Sequence, residues 1–348
     1  MKVLFSLDNN LRRNLLVLFA AGLSFWASLA SLLPTLPLYI EDIGATKQQI
    51  GIIMGSFAIG LLLFRPLLGQ LADKRGRKIV LMIGLLSAAI APIGYNFVQS
   101  IPILFVIRAF HGISIAAFST AFLALVADIA PVENRGELIG YMSLTNPIGM
   151  AIGPALGGYL METYSYTALF TLSTALACFG LLFSLPIINP IVEAQEQAIN
   201  SDSSFWLKLL APRIRIPAIL LFIIGLTLGN LHTFVTLFIK SAEVDLNPGF
   251  FYTVVAMASF CSRLFSGKAS DRFGRGLFIT SSLICYTLAM LILWNANSSV
   301  EFLLAAIVQG IGGGTIIPMI SAMITDRSYA HERGRTFGLC MIGFDIGV

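Results

Sequence analysis

FRPLLGQLADKRGRK, residues 64–78, lies without a gap over SRLFSGKASDRFGRG, residues 262–276, when the chain is shifted against itself by 198 positions. Arg65 falls on Arg263, Gly69 on Gly267, Asp73 on Asp271, Gly76 on Gly274 and Arg77 on Arg275. One match of a short charged motif would mean little. The same shift continues downstream, however, and puts Gly112 on Gly310, Asp128 on Asp326, Arg135 on Arg333, Gly136 on Gly334, Gly140 on Gly338 and Gly149 on Gly347. A constant offset across four consecutive apolar runs and the loops between them marks an internal repeat.

Composition says what the repeated unit is made of. The 348 residues are 57% hydrophobic and 11% charged, with a mean hydropathy of +0.85, whereas soluble domains carry about 25% charge. So few charges cannot cover a water-soluble surface. Apolar runs of the length a helix needs to cross a bilayer stand at about 15–40, 49–71, 79–98, 101–128, 137–161, 167–187, 215–239, 249–268, 276–295 and 301–325, and an eleventh opens near Thr336. The expected fold is an all-α polytopic membrane protein of two pseudo-symmetric six-helix bundles in parallel orientation, since six is even and both copies start on the same side. Its parts are an N-terminal tail (1–14), a first bundle (15–188), a polar central loop (189–212) and a second bundle (213–348). Val348 is the counterpart of Met150, so the second bundle is expected to be truncated in span 11.

The net charge of +4 has a topological meaning. Of the 22 Lys and Arg, 17 fall before span 1 or in alternate loops, only Lys47 and Lys240 fall in the opposite loops, and Arg65, Arg108 and Arg263 lie inside spans. The positive-inside rule then puts the N-terminus in the cytoplasm and the protein in the cell membrane as a multi-pass chain. No basic patch of the kind nucleic acid requires is present. Cys178, Cys261, Cys285 and Cys340 stand singly in apolar stretches and read as small buried hydrophobes. His111, His232 and His331 have no metal spacing, the GIGGG run at 310–314 reads as helix packing, and no Walker A sequence occurs.

The segment from Gly69 to Lys78 joins spans two and three. Its glycines permit a tight turn, and its charges can meet headgroups or helix ends. It resembles the GxLaDrxGrkxxl signature of the major facilitator superfamily, and Gly267 to Arg275 resembles it more weakly. Two further elements carry the likeness. Arg108-Ala-Phe-His111-Gly112 is similar to the RxxxG element of the drug:proton antiporter branch, and Gly149 to Gly158 is similar to the antiporter signature GxxxGPxxGG through Gly149, Gly153, Pro154, Gly157 and Gly158.

A guanidinium at membrane depth costs at least about 2.5 kcal/mol and needs a partner. Arg108 is either a structural arginine capped by carbonyls or part of proton coupling, and its repeat counterpart, Ala306, assigns it to the first half alone. Asp345, an intramembrane carboxylate, is a second proton-coupling candidate, although so near the end of the chain an unpacked helix could leave it wet. Glycines four apart let helices approach closely; the link of the span-five element to export comes from the resemblance. Gly69, Asp73, Arg75, Gly76 and Arg77 are expected to form a conformational latch, repeated at Gly267, Asp271, Gly274 and Arg275. Trp26, His111, Asn146, Asn230, His232 and Gln309 could line a substrate cavity or be satisfied polar groups between helices.

The resemblance implies a secondary transporter: proton-coupled efflux of a drug or metabolite by alternating access, with the proton gradient in place of any cofactor. The expected partners are a small-molecule substrate, protons and the lipid bilayer, for a monomer without enzymatic activity. A sugar or nutrient symporter or uniporter of the same superfamily, and an inactive remnant or non-transporting membrane protein, are the alternatives.

Overall fold

The computed structural model describes residues 7–187, 212–326 and 333–348; the side chains of residues 132, 212, 213, 267, 268, 271, 326 and 333–335 fall outside that description. Among the described residues every regular element is helical, as lipid demands, because a helix satisfies its own backbone hydrogen bonds. Contacts divide the chain into two compact units, Met1–Glu196 and Gln197–Val348. The first holds α1 (Asn9–Ser31), α2 (Leu36–Asp42), α3 (Lys47–Arg75), α4 (Arg77–Phe97), α5 (Ile101–Ile129), α6 (Arg135–Ser143), α7 (Thr145–Thr163) and α8 (Tyr166–Ser184). The second holds α9 (Pro212–Ser241), α10 (Pro248–Phe273), α11 (Arg275–Trp294), α12 (Ser299–Asp326) and α13 (Arg333–Gly347).

Nine segments among the described residues are long and apolar enough to cross a membrane, with Asn9–Asp42 counted as one. Two expected spans are broken. The first is interrupted at residues 32–35, beside Pro34, with Pro37 in the first turn of α2; proline can donate no backbone hydrogen bond and stops a helix. The fifth divides at Leu144, and α7 is not among the nine. Four glycines, two prolines and Asn146 replace apolar bulk in it.

Packing repeats as the sequence does. In the first unit α1 packs on α7 and α8, α3 on α5, and α4 on α5 and α8; in the second, α9 packs on α13, α10 on α12 and α11 on α12. The shift of 198 carries α1, α3, α4 and α5 onto α9 to α12, and α6 with the start of α7 onto α13. The match extends to single atoms. A Cβ added to Gly112 would lie 2.0 Å from the carbonyl oxygen of Phe57, and one added to Gly310 would lie 2.4 Å from that of Val255, the shifted counterpart of Phe57.

The two copies of the opening motif fold alike. Gly76 ends α3 and starts α4 at φ 93° and ψ 152°; Gly274 ends α10 and starts α11 at φ 87° and ψ 142°. Each glycine N–H donates to the carbonyl four residues back at 3.0 Å. That backbone region is open essentially to glycine alone. Around Gly274 nothing lies within 4 Å of an added Cβ, so Gly274→Ala is expected to cost about 1–3 kcal/mol by backbone strain alone. Gly276→Ala, two residues on inside α11 and equally unobstructed, is expected to raise stability by about 0.5–1 kcal/mol instead. Melting temperatures in detergent check the pair, and equal shifts would discard the strain explanation.

Candidate functional site

On α5, Arg108 and His111 are three residues apart and share a face; they are 8% and 0% exposed. The guanidinium carbon of Arg108 sits 4.5 Å from the ring centroid of Phe57 on α3. Its Nη1 lies 3.5 Å from Nδ1 of His111, and the Tyr95 hydroxyl, from α4, is 3.1 Å from the same nitrogen. Arginine can only donate. Nδ1 therefore offers its lone pair, and the neutral ring carries its hydrogen on Nε2. Arg108 Nε and His111 Nε2 are both buried without a hydrogen-bond partner, and among the described residues no carboxylate pairs with Arg108.

The glycines position this cluster. Gly60 of α3 faces the Ala109 carbonyl and Gly112 of α5 faces the Phe57 carbonyl, so the two backbones touch and Phe57 is set against the guanidinium. Tyr95 is held from behind: its carbonyl oxygen accepts from the Tyr39 hydroxyl at 2.8 Å, and its ring meets Phe170 of α8 at 5.8 Å. A cation over an aromatic face gains about 0.5–2 kcal/mol, against at least about 2.5 kcal/mol for a charge at membrane depth. The enclosure does not repay the burial. A charge kept at a net cost points to function.

The loop after α3 is pinned within its own unit. Arg77 Nε pairs with Asp128 Oδ2 at the end of α5, 3.0 Å away, and Lys78 Nζ donates to the Leu185 carbonyl at 2.7 Å, at the carboxyl end of α8, where the helix dipole favours a cation. Asp73, Lys74 and Arg75 are exposed and Gly69 is half-buried. In the repeat, Arg275 is half-buried, while Gly267 and Asp271 lie outside the described side chains.

The span-five element packs α7 on α1. A Cβ on Gly149 would meet Trp26 and Ala27, one on Gly153 the Ala27 carbonyl, and one on Gly157 would be 2.1 Å from the Ser31 carbonyl; Pro154 and Gly158 are buried beside them. Of the cavity candidates, only His111 joins the arginine cluster. Trp26 is half-buried with its ring edge-on to Phe118 at 6.2 Å, and Asn146 is half-buried at the start of α7. In the second unit Gln309 is buried with Oε1 unpartnered. His232 is half-buried and its carbonyl accepts from Tyr252, and Asn230 is exposed on a groove of about 400 Å³ with Phe234 and Trp294.

Asp345 is 4% exposed, not wet as its place near the end of the chain allowed. Gly343 and Gly347 seat α13 against the Ala218 and Phe222 carbonyls of α9, which closes water out. Phe57, Tyr95 and Asp128 were not singled out by the sequence. Asp128 had a usable signal, since it keeps the repeat offset with Asp326 as Arg77 does with Arg275; Phe57 and Tyr95 had none.

Two repeated units of membrane-spanning helices are the architecture of a secondary transporter. The chain belongs to the Major Facilitator Superfamily, which it matches over residues 15–348. It is 25% identical over 323 residues to Multidrug resistance protein 1 of Bacillus subtilis (strain 168), covering 90% of this chain and 82% of that protein. To the multi-drug resistance efflux pump PmrA of Streptococcus pneumoniae serotype 4 it is 25% identical over 354 residues, covering 97% and 87%. A crystal structure of the nucleoside transporter NupG shares the fold with a TM-score of 0.81 at 18% identity, over 96% of this chain and 89% of that one.

Proposed function

We propose that this transporter exports a small organic molecule, a drug or a metabolite, in exchange for protons, by alternating access and without chemistry on its cargo. The observation that carries the reading is Arg108: a buried guanidinium with an aromatic face and a neutral imidazole for company needs a change of charge nearby to justify its cost. Likeness to two multidrug efflux proteins over most of their length supports export. The chain would sit in the cell membrane as a monomer with its N-terminus in the cytoplasm, and the proton gradient would supply the energy. Asp345 would be a second group on the coupling path.

The motif loop would act as the latch. Its anchored end, Arg77 on Asp128 and Lys78 on Leu185, leaves Asp73 exposed and able to make and break a contact during the cycle. Asp73→Asn is expected to cut transport while leaving insertion and melting temperature as in the wild type. Export at the wild-type rate would end the latch assignment. The whole reading is tested in liposomes carrying a pH dye, with a panel of lipophilic dyes and metabolites screened for cargo-induced proton movement. Proton flux in step with cargo is expected; cargo flux indifferent to an imposed pH gradient would leave a uniporter.

A further inference from the structure

We infer that His111 carries the coupled proton and that Arg108 decides when it can. This rests on the proton-exchange reading above and names the group that titrates. Arginine stays protonated in proteins, so Arg108 cannot itself pick up and release a proton. Beside it stands an imidazole, the side chain that titrates in the physiological range, with its Nδ1 lone pair 3.5 Å from Arg108 Nη1 and 3.1 Å from the Tyr95 hydroxyl.

The groups that face His111 can be named helix by helix. From α3 comes Phe57, edge-on at 5.6 Å between ring centroids, which has nothing to titrate. From α4 comes the Tyr95 phenol. From α5 itself comes the Arg108 guanidinium. Phe170 of α8 reaches Tyr95 and adds no charge. Among the described residues no carboxylate pairs with His111.

Two cations this close in a dry interior repel strongly, so the arrangement has two exclusive states. With Arg108 in place, Nδ1 is an acceptor and His111 is neutral. When Arg108 moves off Nδ1, that nitrogen is free to take one proton from solvent on one face of the membrane. The Tyr95 hydroxyl turns from donor to acceptor, which a hydroxyl does without loss, and the hydrogen on Nε2 stays where it is. On return the guanidinium expels that one proton, toward the other face. The protein ends each cycle with the protons it began with.

The repeat supplies independent support. Shifted by 198, Phe57, Tyr95, Arg108 and His111 become Val255, Leu293, Ala306 and Gln309. All four members of the cluster change together, while the packing glycine beside them persists as Gly310 against the Val255 carbonyl. Gln309, buried at the counterpart of His111, is a polar side chain of similar reach that cannot titrate. The second unit thus holds a buried glutamine at the counterpart helix position.

His111→Gln is therefore the test, in full-length protein reconstituted in liposomes with ethidium as the probe. The variant is expected to lose accumulation of ethidium driven by a pH gradient while still letting ethidium run down its own gradient. Gradient-driven accumulation at the wild-type level would overturn the inference. A wild type that moves ethidium with no response to the gradient would instead sink the exchange reading itself. A second measurement needs no cargo and no folded His111 variant: ¹⁵N-histidine NMR in lipid nanodiscs on the wild type and on Arg108→Gln. In Arg108→Gln the His111 ring is expected to take a second proton under acidification that leaves the wild-type ring neutral with hydrogen on Nε2. A ring whose titration is the same with and without Arg108 would also overturn the inference.

Discussion

Gly112→Val is expected to abolish the folded protein. The Cβ of any residue at this position would stand 2.0 Å from the Phe57 carbonyl oxygen and 2.9 Å from the Leu61 nitrogen. Those atoms are backbone inside α3, so no flexible side chain is available to yield. The same face is pinned again one turn away, where a Cβ on Gly60 would be 1.7 Å from the Ala109 carbonyl. Relief requires α3 and α5 to separate along their length, which opens the core around Phe57, Leu61, Ala116 and Ala117. Overpacking that can relax costs about 1–3 kcal/mol; a clash of backbone with backbone belongs with the exceptional substitutions above about 4–5 kcal/mol. The measurement is the yield of monodisperse protein in detergent and its melting temperature. Gly140→Ala on α6, where an added Cβ meets nothing within 4 Å, serves as the control and is expected to fold. Wild-type yield from Gly112→Val would mean that the two helices do not depend on this contact.

The second large effect has opposite signs in two assays. Arg108→Met is expected to lose gradient-driven transport and, at the same time, to melt at a higher temperature than the wild type. Removing the guanidinium recovers at least about 2.5 kcal/mol of membrane burial cost and forfeits about 0.5–2 kcal/mol of attraction to the Phe57 face. The buried Nε–H of the arginine, which has no partner, goes with it. The net is a gain on the order of 1 kcal/mol, in exchange for the activity, as at other sites where function holds a strained arrangement in place. A variant that lost both stability and transport would make Arg108 a structural residue whose partner lies elsewhere. Thermal unfolding and dye transport on the same preparation separate the two results.

Much of the candidate site was legible as types of residue and not as neighbours. Arg108 stood out because a charge inside an apolar run is costly wherever it lies. That the guanidinium is faced by the Phe57 ring and a neutral His111, with no carboxylate among the described residues, depends on α3 and α4 lying beside α5, and nothing in FRPLLGQLADKRGRK or RAFHG states it. His111 appeared from its position to be one polar residue among six. Only the Arg108 guanidinium on Nδ1, which donates and cannot accept, sets its tautomer, with the Tyr95 hydroxyl on the same nitrogen. The sequence left open whether Asp345 is wet; it is buried, because its exposure depends on how closely Gly343 and Gly347 let α13 settle on α9.

By itself the sequence determined the solvent, the all-helical class and the repeat. Apolar runs long enough to cross a bilayer admit only helices there, since each must satisfy its own backbone groups in lipid, and a constant offset of 198 residues leaves two copies of one unit as the reading. It also determined the helix joints, because a glycine at φ 93° or 87° is a local requirement of the chain. Only the tertiary structure decided what the interior charges do. The free energy of a buried cation is set by the few groups that touch it, and residues 57, 95, 108 and 111 come together across three helices. Their meeting depends on a glycine contact whose tolerance is a fraction of an ångström, below anything that periodicity or composition can express.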